Sequence, residues 1–260
     1  MPFSSKWVFK YPIKSYSWIF IPTESTIKNG KIIKSIIEKN WVAPNYFYHL
    51  KKGGHVKALK IHKENSFFIH LDIQDFFGHI NKSRVTRCLK SFLGYERARK
   101  IAKESTVNIF KKTSKKTISI LPFGFVQSPI IASLCFHKSK LGKYLHNING
   151  KHGVYVSVYM DDIIVSSPNK LNLEKIFYNI EVLSVYSKFP LNIEKKDEPS
   201  NQITAFNIHL SHNLLEITDI KLNEFKNKVK DSQNIYEING IISYISSINK
   251  EQAKFFVNNI

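Results

Sequence analysis

Three aspartates lie inside or between apolar strand-like runs, and this placement limits the folds open to the chain. Residues 154–167 read VYVSVYM, then Asp161 and Asp162, then IIVSS, which predicts two β-strands around a tight turn. A second run, residues 67–73, predicts a short buried strand that carries Asp72. Buried carboxylates must be paired or bind a cation. The pattern therefore favours neighbouring strands that gather three carboxylates for a hard divalent ion such as Mg²⁺. The alternative is an ordinary solvated turn, where aspartate is common.

The charge of the chain indicates a polyanionic partner. Its 260 residues include 39 lysines and arginines against 20 aspartates and glutamates, a net charge of +19. A phosphate backbone would account for such a charge, because each neutralised phosphate releases counterions. The basic residues are spread along the whole chain, which suits a long groove better than a tethering tail. A solubility charge or a membrane-surface patch is the alternative.

The two cysteines, Cys88 and Cys135, are too few for a disulfide framework and lack the spacing of a zinc module. We expect two buried thiols. The first 20 residues lack a continuous apolar stretch, and no apolar run approaches the roughly 20 residues that span a bilayer. A cytoplasmic location without a membrane partner is therefore expected.

Helical and strand-like segments follow one another without a regular βαβ order, which favours an α+β fold with an antiparallel sheet backed by helices. Helices are predicted at residues 23–40, 81–95, 128–145, 171–189 and 220–260, with Thr23 and Ser128 as start signals. Residues 45–62 contain Gly53-Gly54 between two strand-like runs and predict a hairpin. Residues 203–210 predict another strand.

Three segments resemble the motif boxes of the reverse transcriptase family. Tyr159-Met160-Asp161-Asp162 matches the YxDD box in its YMDD form, with apolar strands on both sides. Residues 71–77, LDIQDFF, resemble the first catalytic box as it occurs in retron and other bacterial reverse transcriptases. Residues 121–129, LPFGFVQSP, resemble the second box, L-P-x-G-x-x-x-S-P. The resemblance covers roughly residues 51–210, and the small basic chain is similar to retron-like and phage-defence-associated enzymes.

This resemblance implies a right-hand polymerase with an antiparallel-sheet palm, shortened fingers and a short helical thumb. It places the N-terminal part of the fingers in residues 1–70 and the palm in residues 71–215, with finger elements between about 81 and 125. The thumb would be residues 216–260. The implied activity is RNA-directed DNA synthesis, in which two Mg²⁺ ions, or Mn²⁺, support primer extension with deoxynucleotides. The implied partners are an RNA template, a non-coding RNA in an antiphage system, and the DNA product; a protein partner or a homo-oligomer is also compatible.

Site roles follow from the positions that match the family motifs. The implied metal ligands are Asp72, Ile73, Asp161 and Asp162, and the three aspartates are the implied catalytic acids. Phe77 matches the steric gate, whose ring would clash with a ribose 2′-hydroxyl; a plain core aromatic is the alternative. Phe123 stands where many members have glutamine, and it would pack on the sugar or the template base. Gly124 would let the backbone approach the nucleotide.

Several further residues are assigned by the same resemblance. Residues 191–195 resemble motif D, whose Lys195 would protonate the leaving pyrophosphate; Lys196 is equally near, and two surface lysines are the alternative. Lys52 and Lys57, around the Gly-Gly turn, resemble the fingers hairpin that holds the triphosphate. Residues 205–208 fall where the primer-grip hairpin is expected. His70 is expected to be a packed neighbour of the first acid.

Three other functions remain open at this point. An untemplated or protein-primed polymerase of the same fold is compatible with Phe123 and a short thumb. RNA-dependent RNA synthesis is disfavoured by Phe77. A catalytically silent RNA-binding scaffold is disfavoured by the intact set of acids.

Overall fold

The computed structural model describes residues 5–14, 17–111 and 115–258. Its strands are β1 (Trp7–Lys14), β2 (Ser17–Pro22), β3 (Phe67–Ile73), β4 (Val107–Lys111), β5 (Lys116–Ile120), β6 (Tyr155–Tyr159), β7 (Asp162–Ser167), β8 (Leu191–Lys196), β9 (Gln202–Ala205), β10 (Ile208–Ser211) and β11 (Leu214–Ile217). Its α-helices are α1 (Glu24–Asn40), α2 (Gly54–Lys60), α3 (Lys82–Leu93), α4 (Tyr95–Ser105), α5 (Ser128–His137), α6 (Lys140–Ile148), α7 (Lys170–Tyr186), α8 (Asp219–Asp231), α9 (Ile235–Ile248) and α10 (Lys250–Asn258).

A four-stranded antiparallel sheet in the order β6-β7-β3-β8 forms the centre of the fold. Alternation along β3 and β7 gives the sheet two apolar faces. Ile69, Leu71 and Ile163 join the large core beneath helices α5, α6 and α7, whereas Phe68 and Ile164 join a second core. That second core also contains residues of the three-stranded sheet β9-β10-β11 and of helices α9 and α10. The predicted antiparallel sheet backed by helices is therefore confirmed.

The hairpin predicted at residues 45–62 is wrong. This segment forms a 3-10 helix at Tyr48–Leu50 and the α-helix α2. Gly53 and Gly54 both adopt positive φ, at 101° and 52°, and this conformation reverses the chain just ahead of a helix as readily as it turns a hairpin. The apolar residues of α2 follow the helical period and bury Ala58 and Leu59.

Strands β1 and β2 form a hairpin that was not predicted from the sequence. Phe20 on β2 packs with Val107, Ile120 and Phe125 in a small third core, which also joins the hairpin β4–β5 to it. The Phe20 amide donates a hydrogen bond to the Phe123 carbonyl at 2.9 Å. The N-terminal hairpin is thereby fixed to the segment that resembles the second motif box.

Most of the predicted helices are confirmed, but two of the segments are divided: the one predicted from residue 220 onward forms α8, α9 and α10. Thr23 caps α1 and Asn81 caps α3, because each side chain accepts a hydrogen bond from the amide three residues on. The helix predicted at residues 128–145 is two helices, because Ser139 ends the first and caps α6 through the Gly142 amide at 3.0 Å. The predicted strand at residues 203–210 is likewise a hairpin, β9–β10. Helix α4 and strands β4 and β5 were not predicted.

Cys88 and Cys135 are both free and buried, as expected. Within the described ranges, no helix is long and apolar enough to cross a membrane.

Candidate active site

The three aspartates meet at one end of the central sheet. Asp72 on β3 lies directly opposite Asp162 on β7 in the antiparallel register. Asp161 occupies the β6–β7 turn, and its carbonyl accepts a hydrogen bond from the Ile73 amide at 2.9 Å. Met160 in the same turn has a φ of 59°, a conformation that non-glycine residues seldom adopt. The prediction that separate sequence segments bring these acids together agrees with this geometry.

The cluster is electrostatically unfavourable when all its carboxylates are ionised. Burial, together with the neighbouring charges of Asp162 and Asp72, raises the pKa of Asp161 to about 6. Protonation or a bound cation would relieve this repulsion. The site therefore holds negative charge where a divalent cation would be stabilised.

Lys195 on β8 supplies one positive charge to this cluster. Its Nζ lies 2.7 Å from Asp72 Oδ1, and Asn192 Nδ2 donates to Asp72 Oδ2 at 3.2 Å. The hydrogen bond with Asp72 raises the pKa of Lys195. Lys196 points the other way, with its Nζ 2.7 Å from Glu181 Oε1 on α7. Because successive strand residues face opposite sides, only Lys195 of the two lysines contacts the acid cluster.

His70 links the acid cluster to the end of β8. Its Nε2 lies 2.8 Å from Asp162 Oδ1, and its Nδ1 lies 3.5 Å from Asp197 Oδ2. The Asp197 amide also donates to the His70 carbonyl at 2.9 Å. The sequence reasoning gave His70 only a packing role and missed this connection. Its position two residues before Asp72, on the same face of β3, was the available signal.

Two aromatic rings stand together beside the first and second motif segments. Phe77 and Phe123 are in edge-to-face contact, with ring centroids 5.5 Å apart. Phe77 is half-buried, whereas 42% of Phe123 is exposed. Gly124 has a φ of 108°, and a Cβ there would collide with the Phe20 carbonyl oxygen. The absence of a side chain at Gly124 thus allows the N-terminal hairpin to pack closely. Approach of the Gly124 backbone to a nucleotide stays a prediction.

Lys52 and Lys57 are exposed, on the segment whose residues 54 and 55 approach Tyr159 of the YMDD segment. Lys57 belongs to α2, where Gly54 and His55 approach the Tyr159 ring. This segment forms a helix and not the predicted hairpin. No hairpin of this segment therefore carries the two lysines to Phe77 and Phe123. Their assignment to the triphosphate stays a prediction.

Residues 205–208 form the turn between β9 and β10, with Phe206 and Asn207 both at positive φ. The Phe206 ring lies 5.4 Å from the Tyr159 ring and 6.4 Å from the His70 ring. A hairpin therefore stands beside the YMDD segment, at the place where the sequence suggested a primer grip.

A profile described as "Reverse transcriptase (RNA-dependent DNA polymerase)" matches residues 21–210, which is most of the chain. This chain belongs to the reverse transcriptase family. The match contains all three motif segments and every residue assigned to the acid cluster.

Solved structures with the same fold include telomerases and viral enzymes. Telomerase from Candida albicans with a fragment of telomeric RNA superposes with a TM-score of 0.54 at 7% identity, covering 90% of this chain and 47% of that one. The foamy viral protease-reverse transcriptase with an RNA/DNA hybrid gives 0.52 at 15% identity, covering 96% and 30%. These identities establish the fold alone, and the predicted right-hand polymerase class is confirmed. The reverse transcriptase chain described here spans less than half the length of either protein.

The residues present fit divalent cations by their chemistry. Carboxylate oxygens are the ligands that Mg²⁺ prefers, and three of them converge here. Among the described residues, no group of three or more His, Cys, Asp or Glu side chains is arranged around a common metal position. In this structure Asp72 is paired with Lys195, and Asp162 contacts His70 through Oδ1 alone. A cation at Asp72 would have to displace Lys195.

Replacing Asp161 with asparagine is expected to stabilise the metal-free protein at neutral pH. The folded-state pKa of about 6 exceeds the ordinary 3.8, so the folded chain holds this proton more tightly than the unfolded chain. The wild type therefore loses stability as the pH rises from about 4 to about 6. The variant does not lose this stability, because asparagine carries no charge at any of these pH values. The expected gain above pH 7 is on the order of 2 kcal/mol. Thermal unfolding in EDTA across this pH range measures it, with Asp231→Asn as control. A gain that is independent of pH would contradict the assigned cause.

His70→Ala is expected to lower kcat about tenfold and to raise the Mg²⁺ concentration for half-maximal activity, since Asp162 would lose the group that orients it. The KM for primer and template should not change. His70→Gln, which keeps a hydrogen-bond donor, should recover part of the loss, and His209→Ala provides a control on an exposed strand position. Unchanged metal dependence in His70→Ala would show that the contact has no role in catalysis.

Proposed function

We propose that the chain is an RNA-directed DNA polymerase that extends a primer with deoxynucleotides. One observation carries this proposal: Asp72 faces Asp162 across two strands, with Asp161 in the adjoining turn and Lys195 in contact with Asp72. Membership in the reverse transcriptase family supports the same chemistry. A silent scaffold would have no use for a repulsive acid cluster.

Each side chain of the cluster has a proposed task. Asp72, Asp161 and Asp162, together with the backbone of Ile73, would hold two Mg²⁺ ions, or Mn²⁺. When bound, such ions supply Lewis-acid stabilisation to the attacking and leaving oxygens of phosphoryl transfer. Lys195 would give its proton to the departing pyrophosphate, because its ammonium lies at the edge of the cluster and 48% of the side chain is exposed.

Selection of the sugar would fall to the aromatic pair. The contact between Phe77 and Phe123 fixes the Phe77 ring next to the segment that follows Asp72. A ring in this position would exclude a ribose 2′-hydroxyl. The domain limits are proposed with it: fingers in residues 1–70, palm in residues 71–215 and thumb in residues 216–260. The central sheet and helices α8 to α10 agree with the last two.

The biological setting is a further part of the proposal. The motif spelling LDIQDFF and the charge of +19 favour a retron-like bacterial enzyme that works with a dedicated non-coding RNA in antiphage defence. A partner protein or a second copy stays a prediction. Sequencing the nucleic acid that copurifies with the protein tests this part: a single structured RNA joined to complementary DNA supports it, and random cellular RNA contradicts it.

Primer extension on an RNA template tests the activity itself. Deoxynucleotides or ribonucleotides are supplied with Mg²⁺ or Mn²⁺, and the products are sequenced. Template-matched DNA supports the proposal. Product whose sequence ignores the template would favour the untemplated alternative, which Phe123 in place of a hydrogen-bonding side chain leaves open.

Phe77→Ala is expected to admit ribonucleotides. Removing the ring removes the clash with the 2′-hydroxyl, so the preference for deoxynucleotides should fall by about tenfold or more. The ratio of kcat/KM for the two nucleotides measures the change, and Phe92→Ala, at another partly buried aromatic, is the control. If discrimination is unchanged while activity persists, Phe77 is a core aromatic and not a gate.

A further inference from the structure

More than half of the net charge of the chain comes from one stretch. Residues 82–116 contain twelve lysines and arginines and only two acids, Glu96 and Glu104. This gives a net charge of +10 for the stretch, against +19 for the whole chain. The described residues of this stretch form α3, α4, β4 and the start of β5, which together with the rest of β5 we name the basic platform (residues 82–111 and 115–120).

Most of the basic side chains of the platform lie on the surface of the protein. Helices α3 and α4 form a helical hairpin around Gly94, whose φ of 74° suits glycine, and they bury apolar residues such as Leu89 and Ile101 against the core. The Lys82 amide donates to Ser119 Oγ at 3.1 Å, which attaches the start of α3 to β5. Nine of the twelve basic residues are exposed in the described part of the platform. The positive charge of the described residues therefore lies on helices and strands attached to the core and not on a loose tail.

None of these nine basic side chains is neutralised by an acid. Every ion pair among the described residues lies outside the platform. Glu104 accepts a hydrogen bond from Asn29 at 2.8 Å, so it is directed toward α1. Burial lowers the pKa of Lys6, and the charges of Lys103 and Lys82 lower it as well, against the opposing effect of Glu104. Uncompensated cations in this number need a polyanion to relieve their mutual repulsion.

Two exposed aromatic rings interrupt the basic surface. Phe110 on β4 is 64% exposed and Tyr95 at the start of α4 is 52% exposed. The strand neighbour of Phe110, Ile109, packs inward on the third core, so alternation holds the Phe110 ring outward. Exposed rings among cations are how proteins bind unpaired nucleotides, because bases stack on the rings while lysines contact the backbone.

The platform is continuous with the active-site segment but lies outside the acid cluster. Strand β5 leads directly into residues 121–129, and the Leu121 amide donates to the Ile80 carbonyl at 2.8 Å. Among the described residues, no hydrogen bond or ion pair joins the platform directly to the three aspartates. An RNA held on the platform would thus be anchored to the same rigid unit as the catalytic residues.

We propose that the basic platform binds an unpaired segment of RNA, with its phosphates on the exposed lysines and arginines and a base stacked on Phe110. This site goes beyond the proposed polymerase reaction and does not depend on it. It would hold RNA independently of the strand that is being copied. The exposed aromatics favour unpaired RNA over a paired stem or an anionic membrane.

The test compares two triple variants that each remove three positive charges. The platform variant is Lys90→Gln, Lys100→Gln and Lys116→Gln, with one substitution each on α3, α4 and β5. The control variant is Lys151→Gln, Lys170→Gln and Lys175→Gln, which are exposed positions around α7. Binding of a 30-nucleotide unstructured RNA is measured by fluorescence anisotropy at several salt concentrations, without nucleotides or divalent ions.

The platform variant is expected to lose RNA affinity at least about tenfold, and the slope of log affinity against log salt should become shallower by about two. The control should lose less than about threefold. Phe110→Ala should weaken binding of the unstructured RNA several-fold and leave binding of a paired RNA stem unchanged. Equal losses in the two triple variants, or tighter wild-type binding to the paired stem or to anionic phospholipid vesicles, would overturn the proposal. Because catalysis is not measured, a failure here is distinct from a failure of the polymerase assignment.

Discussion

Replacing Asp161 and Asp162 together with alanine is expected to abolish primer extension, with a loss of at least about 10³-fold. The double variant would leave only Asp72 of the three carboxylates that meet at the end of the central sheet. One carboxylate cannot hold two cations or balance their charge. Extension of a labelled primer on an RNA template, at saturating Mg²⁺ and deoxynucleotides, measures the loss.

The matched control removes two acids that lie close by but outside the cluster. Glu194→Ala with Glu198→Ala makes the same change of charge at exposed positions on and just after β8. It should keep near-normal activity, and both double variants should still bind RNA. Substantial activity without Asp161 and Asp162 would show that the YMDD turn is an ordinary solvated turn.

The second large effect is expected at Lys195. Lys195→Gln should lower kcat about a hundredfold, because the leaving pyrophosphate would lose its proton donor. The KM for deoxynucleotides should change little, since the lysine would act on the transition state. The pH profile gives a sharper test. With Lys195 as the proton donor, the wild type should lose activity at alkaline pH as this lysine deprotonates. The variant should lack that alkaline limb.

Lys196→Gln is the control, because it changes the adjacent residue in the same strand. Its ammonium pairs with Glu181 on α7, on the side away from the aspartates. An exposed or half-exposed pair of this kind contributes at most about 1 kcal/mol, so kcat should stay within a few-fold of wild type. Equal losses in the two variants would mean that the lysines act through the stability of β8 and not through proton transfer.

The acid cluster could be predicted because its signals are local. An aspartate within an apolar run, and two more at the turn of a β-branched hairpin, are visible in any short window of sequence. The choice between Lys195 and Lys196 was left open because it depends on the register of β8 against β3. His70 was undervalued for a similar reason: its contacts with Asp162 and Asp197 exist only because β7 and the end of β8 flank β3.

The N-terminal half was harder to predict. The Gly53-Gly54 pair supplies positive φ, and either a hairpin turn or a helix start could use it, so sequence alone chose wrongly. The true hairpin, β1–β2, has no glycine at its described positions and gave no turn signal. Helix α4 and the hairpin β4–β5 carry so many lysines that their apolar period is hard to see. Helix α4 packs on the preceding helix α3, and the hairpin β4–β5 packs on the Phe20 core, which is distant in sequence.

The close approach of the N-terminal hairpin at Gly124 also determines where this protein can be diversified. Any β-carbon at position 124 would displace Phe20 and loosen the small core beneath it, so a mutant library should keep this glycine fixed. Phe123, one residue earlier, holds the hairpin through its carbonyl, while its ring contacts Phe77 and lies partly in solvent. Changing the side chain at position 123 leaves the Gly124 approach intact but removes the ring that supports Phe77, which makes position 123 the place to begin when altering which nucleotides are accepted.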